Sequence, residues 1–216
     1  MLENLPEPLG RGLRAQRAGM ENVCLRRLLK QRGVQSIEVR SPAFEQLMPI
    51  PVRFTADGDG SSPPLSWSGV PQHSGTLLLI VEDADSPTPR PFVHAIAVNL
   101  APIDGALVEG ALTSGAAADE LELGVNSFLR RGWLPPDPPP GHGEHHYVFQ
   151  VFALDGHNSF TRLPGRQALF DAIADRATAA GALIGTYERP HRQLLEAPGE
   201  APLDPPLEPP PGVEPA

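Results

Sequence analysis

The sequence contains a single cysteine, Cys24, among its 216 residues. This excludes an intrachain disulfide, and nothing in the cysteine content requires an oxidising compartment. Long apolar runs are also missing, since none approaches the roughly 20 residues that a membrane-spanning helix needs. The first residues have no continuous apolar stretch behind their charges, so we expect no secretory signal and a cytoplasmic location.

Positive charge is scarce. Lys and Arg number 17 against 26 Asp and Glu, which gives a formal net charge of −9 at pH 7. Non-specific binding to nucleic acid or to an anionic membrane depends on clustered Lys and Arg side chains. We therefore do not expect nucleic acid as a partner.

Proline and glycine are abundant, with 27 and 21 residues. They separate many short apolar runs that are typical of β-strands, and such a pattern favours a mainly β protein built as an antiparallel sandwich. The spacing of apolar residues predicts only two helices, over 21–31 and 166–182. Strands are expected at 37–39, 50–55, 65–67, 77–81, 92–100, 147–154 and 183–187.

The composition divides the chain into three parts. Residues 1–36 form an N-terminal extension with little order before residue 20 and a short basic helix after it. Residues 37–195 form the folded domain. Residues 196–216 form an acidic, proline-rich tail that cannot build a core and should be disordered.

Polar residues that suggest a functional site follow the apolar run Leu77–Val81. Asp83 and Asp85 lie in the loop that leaves this strand, and His94 lies near the start of the next strand. Alternation along that strand places His94 on the face of Phe92, Ile96 and Val98. A buried histidine bonded to a loop carboxylate without any function explains this pair equally well.

A second polar loop favours a shared pocket. About fifty residues further on, Gly141-His142-Gly143-Glu144-His145-His146-Tyr147 runs directly into an apolar strand. Three kinds of chemistry remain open. The first is a zinc site, but the histidines do not have the usual ligand spacing. The second is a serine hydrolase, but Ser66, Ser68 and Ser86 show no sign of an activated serine. The third is an anion pocket, which needs only imidazole, phenol and backbone donors.

Six motifs follow one another along the chain: SSPPLSWSGVP (61–71), LLLIVEDADSP (77–87), FVHAIAVNL (92–100), GVNSF (124–128), PPPGHGEHHYVFQVFALD (138–155) and LIGTYER (183–189). Together they resemble the phosphatidylethanolamine-binding protein family, in particular its bacterial Raf-kinase-inhibitor-like branch. The resemblance runs from about Ile37 to Arg189. It implies a β-sandwich with Greek-key connections, a few peripheral helices including one near the C-terminus, and a small cavity for phosphate-like anions and phospholipid headgroups.

Matched motif by motif, the resemblance implies a set of ligand-binding residues. The set is Asp83, Asp85, Pro87, His94, Gly143, His145 and Tyr147, and we expect the segment from Pro136 to Gly141 to form part of the pocket rim and to contribute Pro136 and Gly141 to ligand binding. Three positions depart from the family pattern, because Ala84 replaces a proline, His146 an arginine and Ser127 an aspartate. We hypothesise that the changes at 127 and 146 compensate each other, since histidine lacks the permanently charged fork of arginine.

These observations predict a non-enzymatic binding protein that uses no cofactor and no metal. Its expected partner is a small anionic ligand, such as a phosphate monoester, or a phospholipid headgroup. The alternative is a regulator that inhibits a protease or a kinase through its surface, for which the basic segment 21–32 and the tail would serve. A protein partner and a homodimer both stay open.

Overall fold

The computed structural model describes residues 6–113, 121–156, 160 and 163–189. Within these residues the chain forms three α-helices, α1 Glu7–Leu13, α2 Cys24–Gln31 and α3 Arg166–Arg176. The strands are β1 Gln35–Ser36, β2 Glu38–Arg40, β3 Met48–Pro49, β4 Leu65–Ser68, β5 Thr76–Asp83, β6 Phe92–Leu100, β7 Gly105–Leu107, β8 Glu122–Leu123, β9 His145–Leu154 and β10 Ala177–Tyr187.

The strands form a large and a small sheet. The large sheet has the order β1-β10-β9-β5-β6-β8, with β3 also pairing with β10, and the small sheet has the order β2-β4-β7. The protein is thus mainly β, but the expectation of purely antiparallel sheets was wrong, because β1 and β3 run parallel to β10. These two strands of two residues each pair with the outer edge of β10. The alternation of apolar residues does not show whether neighbouring strands run parallel or antiparallel, so the sequence could not predict their direction. Greek-key connectivity stays a prediction.

Both faces of the large sheet are covered, which explains why all eight residues of β5 are buried. Leu77, Leu79 and Val81 pack with residues of the small sheet, such as Trp67. Leu78 and Ile80 point to the opposite face, where they pack with α2 and α3. The strands that carry the candidate site are therefore fixed in the middle of three layers.

A β-bulge changes the direction of His94. Val81 pairs with Ala95, but the next residue of β5 pairs with Val93, so one extra residue of β6 is inserted at His94. Ile96 and Val98 pack on the helix side of the sheet. His94 instead contacts Trp133 and Tyr147, which belong to the core on the other side. The prediction that His94 shares a face with Ile96 and Val98 was wrong because strict alternation does not hold across a bulge.

The C-terminal helix is shorter than the sequence predicts. Helix α3 ends at Arg176, and residues 177–182 are the first half of β10. This stretch is rich in alanine, which favours a helix locally. It pairs along its length with β9, and those backbone hydrogen bonds together with burial of Ala177 and Ala179 outweigh the local preference.

Two expectations near the N-terminal end were also wrong. Segment 50–55 is not a strand, because a 3-10 turn covers Val52–Phe54 and only Met48–Pro49 pairs with the sheet. Residues before 20 are ordered in part, since Glu7–Leu13 forms α1. The basic helix α2 docks on its own domain by burying Cys24 and Leu28.

The predicted tail 196–216 lies outside the described residues, and the predicted division into three parts stays a prediction. Within the described ranges, no helix has the length and apolar character needed to cross a membrane.

Candidate functional site

A cavity of about 420 Å³ opens where β5 ends and β6 begins, beside the proline-rich segment 134–139. Its polar lining combines two carboxylates, two imidazoles, one guanidinium and two hydroxyls, and the remainder is mostly apolar. The polar lining residues are Asp83, Asp137, His94, His145, Arg130, Ser86 and Thr88. The apolar ones are Ala56, Pro87, Phe92, Phe128, Leu134, Pro135, Pro138 and Pro139.

Four of the sequence-predicted residues come together at this cavity. Asp83, Pro87, His94 and His145 all line it, although the first and last of them are 62 positions apart in the sequence. They meet because Asp83 ends β5, His145 begins β9, and these two strands are direct neighbours in the sheet.

His94 contributes one unpaired ring nitrogen. Its Nδ1 lies 2.7 Å from the carbonyl oxygen of Leu134, and because a carbonyl can only accept, Nδ1 carries the proton. Burial lowers the pKa of His94, against the opposing effect of Asp83, so the ring is neutral near pH 7. Its Nε2 is therefore a bare acceptor, buried and without a hydrogen-bond partner in the described part of the chain.

His145 and His142 form a hydrogen-bonded chain that begins at Asp83. His145 Nδ1 lies 2.7 Å from Asp83 Oδ2, and His145 Nε2 lies 2.7 Å from His142 Nδ1. His142 Nε2 donates to the carbonyl oxygens of Leu13 and Gln16, at 3.0 and 3.2 Å. Both nitrogens of His145 are thus occupied, and this imidazole presents its ring rather than a free nitrogen to the cavity.

The carbonyls of Leu13 and Gln16 set the direction of these hydrogen bonds. Because a carbonyl only accepts, His142 Nε2 carries a proton. Burial, and then the neighbouring His145, lowers the pKa of His142, so this ring is neutral near pH 7 and its Nδ1 accepts from His145 Nε2. The other ring nitrogen of His145 then lies against the Asp83 carboxylate.

Tyr147 lies behind the cavity rather than on its surface. Its ring contacts those of His94 and His145, with centroids 5.1 and 6.3 Å away. The side chain is completely buried, and its hydroxyl has no hydrogen-bond partner within the described ranges. Burial, followed by the charge of Asp83, raises the pKa of Tyr147 well above its usual range, so this hydroxyl stays a donor.

Asp85 points away from the cavity. Its carboxylate binds the Arg17 guanidinium at 2.6 Å and both the backbone N–H and the ring Nδ1 of His146, at 2.8 and 2.7 Å. Burial alone would raise the pKa of Asp85, but the hydrogen bonds from Arg17 and His146 outweigh it and lower that pKa. Asp85 therefore fixes the loop that presents His145.

Three further predicted residues support the rim. Gly141 and Gly143 adopt φ values of 77° and 99°, a region that favours glycine, and neither lines the cavity. Pro136 is likewise not part of the lining, and its carbonyl accepts a hydrogen bond from Ala56 N–H at 2.9 Å. The assignment of these residues, and of the whole predicted set, to ligand binding stays a prediction.

Sequence reasoning missed several residues of the site. Asp137, the one charged residue within the proline run 135–140, lines the cavity, as do Phe128, the last residue of the GVNSF motif, and Arg130, two residues after it. Their positions next to quoted motifs were the available signal. No sequence pattern indicated Arg17, which contacts the loops from the N-terminal extension.

Ser127 and His146 have separate partners. The Ser127 hydroxyl accepts a hydrogen bond from Val93 N–H at 2.8 Å, whereas His146 binds Asp85. No hydrogen bond or ion pair joins the two side chains in the portion of the protein that the structure describes. The structure therefore gives no direct route for the compensation that we hypothesised.

Comparison with known proteins gives consistent matches. A family model described as phosphatidylethanolamine-binding protein matches residues 40–188. A UPF0098 protein of Chlamydia trachomatis is 36% identical over 157 residues, which cover 71% of this chain and 99% of that protein. A UPF0098 protein of Pyrococcus abyssi is 36% identical over 144 residues, which cover 65% of this chain and 79% of that protein.

Comparison with solved structures gives matches of the same kind. A phosphatidylethanolamine-binding protein homologue from Chlamydia trachomatis is 34% identical, has a TM-score of 0.64, and the match covers 72% of this chain and 99% of that one. The YbcL protein of Escherichia coli has a TM-score of 0.62 at 24% identity, with 71% and 99% covered, and supports the fold alone.

Proposed function

The chain belongs to the phosphatidylethanolamine-binding protein family, and from this membership and the cavity geometry we propose that it is a non-enzymatic protein that binds small phosphate-containing ligands. The proposed ligands are phosphate monoesters and headgroups of the phosphoethanolamine class. The single observation that carries the proposal is the buried Nε2 of His94, which has no hydrogen-bond partner among the described residues and lies beside the Asp83–His145 pair in a cavity of about 420 Å³. A buried polar atom without a partner inside a protein cavity is typical of a binding site.

The protonation of His94 restricts which ligand atom fits there. Because Nδ1 donates to Leu134, a neutral His94 offers only an acceptor at Nε2. A fully deprotonated phosphate group would need His94 to take up a proton first. A monoprotonated phosphate oxygen or an ammonium group brings its own donor, and phosphoethanolamine contains both.

Charge around the cavity supports a ligand of mixed sign. Asp83 Oδ2 lies 2.7 Å from His145 Nδ1, and Asp137 accepts a hydrogen bond from Arg189 at 2.7 Å, so both carboxylates already have a partner in the protein. Arg130 is exposed and lines the cavity, where its guanidinium supplies positive charge for phosphate oxygens. We expect dissociation constants between about 1 mM and about 1 µM, or roughly −4 to −8 kcal/mol.

NMR titration of the histidine side chains tests the proposal. Phosphoethanolamine, inorganic phosphate and ethanolamine are titrated separately into ¹⁵N-labelled protein. We expect phosphoethanolamine to move the His94 and His145 ring signals, while exposed His73, which lies outside the cavity, stays unchanged. Unmoved His94 and His145 signals would rule the proposed site out.

A matched pair of variants separates the site from general effects. His94→Leu removes both ring nitrogens, and with them the acceptor at Nε2, and should weaken phosphoethanolamine binding about tenfold, or ~1.4 kcal/mol. His73→Leu makes the same chemical change on the exposed surface and should leave the affinity unchanged. Equal losses in both variants would contradict the assignment of His94.

A further inference from the structure

Residues 6–23, which we call the N-terminal segment, cross the outside of the cavity loops although they lie outside the family match at 40–188. Helix α1 packs directly on loop 139–144, which leads into β9. A Cβ atom at Gly10 would lie 1.9 Å from the carbonyl oxygen of Pro140, and one at Gly141 would lie 2.8 Å from Glu7 Cγ. The two backbones therefore approach so closely that only glycine fits at both positions.

The N-terminal segment joins the two loops that carry the cavity residues. Its backbone binds the first loop, since Ala18 N–H donates to Ser86 O at 2.9 Å and Gly19 N–H to Ala84 O at 2.8 Å. The side chain of Arg17 then reaches both loops at once. These contacts fix the loop that follows Asp83 relative to the loop that precedes His145.

Arg17 makes its contacts through both terminal nitrogens. Nη1 lies 2.6 Å from Asp85 Oδ1 and 2.9 Å from the carbonyl oxygen of Glu144, and Nη2 lies 3.3 Å from the carbonyl oxygen of His142. A half-buried guanidinium that binds a carboxylate and two carbonyls holds all three in one geometry. Two of these acceptors belong to residues on either side of Gly143.

A second connection runs through His142. Its Nε2 donates to the carbonyl oxygens of Leu13 and Gln16, and its Nδ1 bonds to His145, which bonds to Asp83. The carbonyls of the N-terminal segment thus fix the proton of His142 on Nε2. That tautomer leaves Nδ1 free to accept from His145, which in turn directs the other His145 nitrogen to Asp83.

We propose that Arg17 is a positioning residue for the cavity, and that the N-terminal segment holds Asp83 and His145 in their bonded arrangement. The segment is part of the cavity's supporting structure rather than a separate appendage. Its effect on ligand affinity rests on the proposed function, whereas its effect on the imidazoles does not.

The test compares Arg17→Gln with Arg11→Gln. Both variants remove one positive charge from the same segment, but among the described residues the ion pair of Arg11 is with Glu7, one helical turn away, and not with either cavity loop. We expect Arg17→Gln to change the ¹⁵N ring signals of His142 and His145 and to weaken phosphoethanolamine binding about fivefold to tenfold. Arg11→Gln should change neither. Arg17→Lys should restore the signals in part, because lysine keeps the charge but not the fork.

A second pair of variants acts through the backbone. Gly10→Ala forces α1 away from Pro140, whereas a Cβ at Gly12 meets nothing within 4 Å. We expect Gly10→Ala to reproduce the changes in the His142 and His145 signals and Gly12→Ala to leave them as in the wild type.

The outcomes separate this proposal from the proposed function. Unchanged His142 and His145 signals in Arg17→Gln and Gly10→Ala would overturn the positioning role. Equal changes in Arg17→Gln and Arg11→Gln would also overturn it, because a general charge effect would then suffice. If the wild type binds no phosphoethanolamine but the imidazole signals still respond to Arg17→Gln, the proposed function fails and the positioning role stands.

Discussion

His94 and Leu134 bind each other twice, through a side chain and through the backbone. His94 Nδ1–H donates to the Leu134 carbonyl at 2.7 Å, and Leu134 N–H donates to the His94 carbonyl at 2.8 Å. This pair joins the start of β6 to the proline-rich rim 40 residues later. It also fixes the ring so that Nε2 has to be the bare nitrogen.

The buried His94 makes folding sensitive to mild acid. Burial lowers the pKa of His94, and the pKa of His142 is lowered as well, first by burial and then by His145. The unfolded chain takes up these protons near pH 6.5, whereas the folded protein takes them up only at lower pH. The free energy of unfolding should therefore fall as the pH drops below about 6.5.

Thermal melts between about pH 7.5 and about pH 5 measure this effect. His94→Gln removes one of the two titrating groups, so its midpoint should depend less steeply on pH, even if its stability at neutral pH is lower. His73→Gln, on the exposed surface, should keep the slope of the wild type. A wild-type midpoint that is constant over this range would contradict the expectation.

Glu82 should be the most sensitive charged position of the core. It is completely buried; Oε1 lies 2.5 Å from Arg166 Nε, and Oε2 accepts from Cys24 N–H at 2.7 Å and from Gln150 Nε2 at 2.8 Å. Glu82→Gln leaves the largely buried Arg166 without its counter-charge. We expect a loss of about 3 kcal/mol in the free energy of unfolding, since breaking a buried pair on one side is strongly destabilising.

Denaturant unfolding tests this expectation against an exposed pair. Glu38→Gln breaks the contact with Arg40, in which both side chains are more than half exposed. Exposed pairs contribute little, so this control should lose at most about 0.5 kcal/mol. Similar losses in both variants would show that the buried pair has no special role.

Cys24 should be chemically silent in the folded protein. The thiol is completely buried, and burial, followed by the charge of Glu82, raises its pKa well above the usual range. The thiolate is the reactive form, so alkylation requires at least local opening of α2. We expect iodoacetamide to label Cys24 at the rate at which this helix opens, and labelling to accelerate in Glu82→Gln. Rapid labelling of the native wild type would contradict the burial of this thiol.

The central strands could be predicted from the sequence because their signal is local. The run Phe92–Leu100 has the bounds of β6, and the run 147–154 lies within β9. Residues 177–182 could not be predicted in the same way. Their alanines favour a helix, and only the partner strand β9, which is distant in sequence, makes them a strand.

The sequence was enough to predict which side chains lie together, but not the contacts that hold them in position. The motifs predicted that Asp83, His94 and His145 lie close together, and all three line one cavity. The bulge that turns His94 depends on how β6 pairs with β5, which alternation along one strand does not contain. Arg17 reaches its partners across about 70 and 130 residues of sequence, and no local pattern encodes such contacts.

Arg189 should control the stability of the cavity rim. This nearly buried side chain binds both Asp57 oxygens through Nε at 2.9 and 3.1 Å, the Pro138 carbonyl at 3.0 Å and Asp137 at 2.7 Å. Tyr187 also donates to Asp57, at 2.6 Å. The guanidinium therefore joins the end of β10 to the segment that lines the cavity.

Arg189→Lys keeps the positive charge but not the planar fork that spans these acceptors. A lysine ammonium cannot reach them together, so we expect a loss of about 2 kcal/mol in the free energy of unfolding. The matched control is Arg40→Lys, since Arg40 is exposed and, within the described ranges, forms its ion pair with the exposed Glu38. Denaturant unfolding measures the loss, and the His94 ring signal reports whether the rim has moved, because Leu134 binds His94. Wild-type stability in Arg189→Lys would mean that the charge alone holds the rim, and that the geometry of the fork is dispensable.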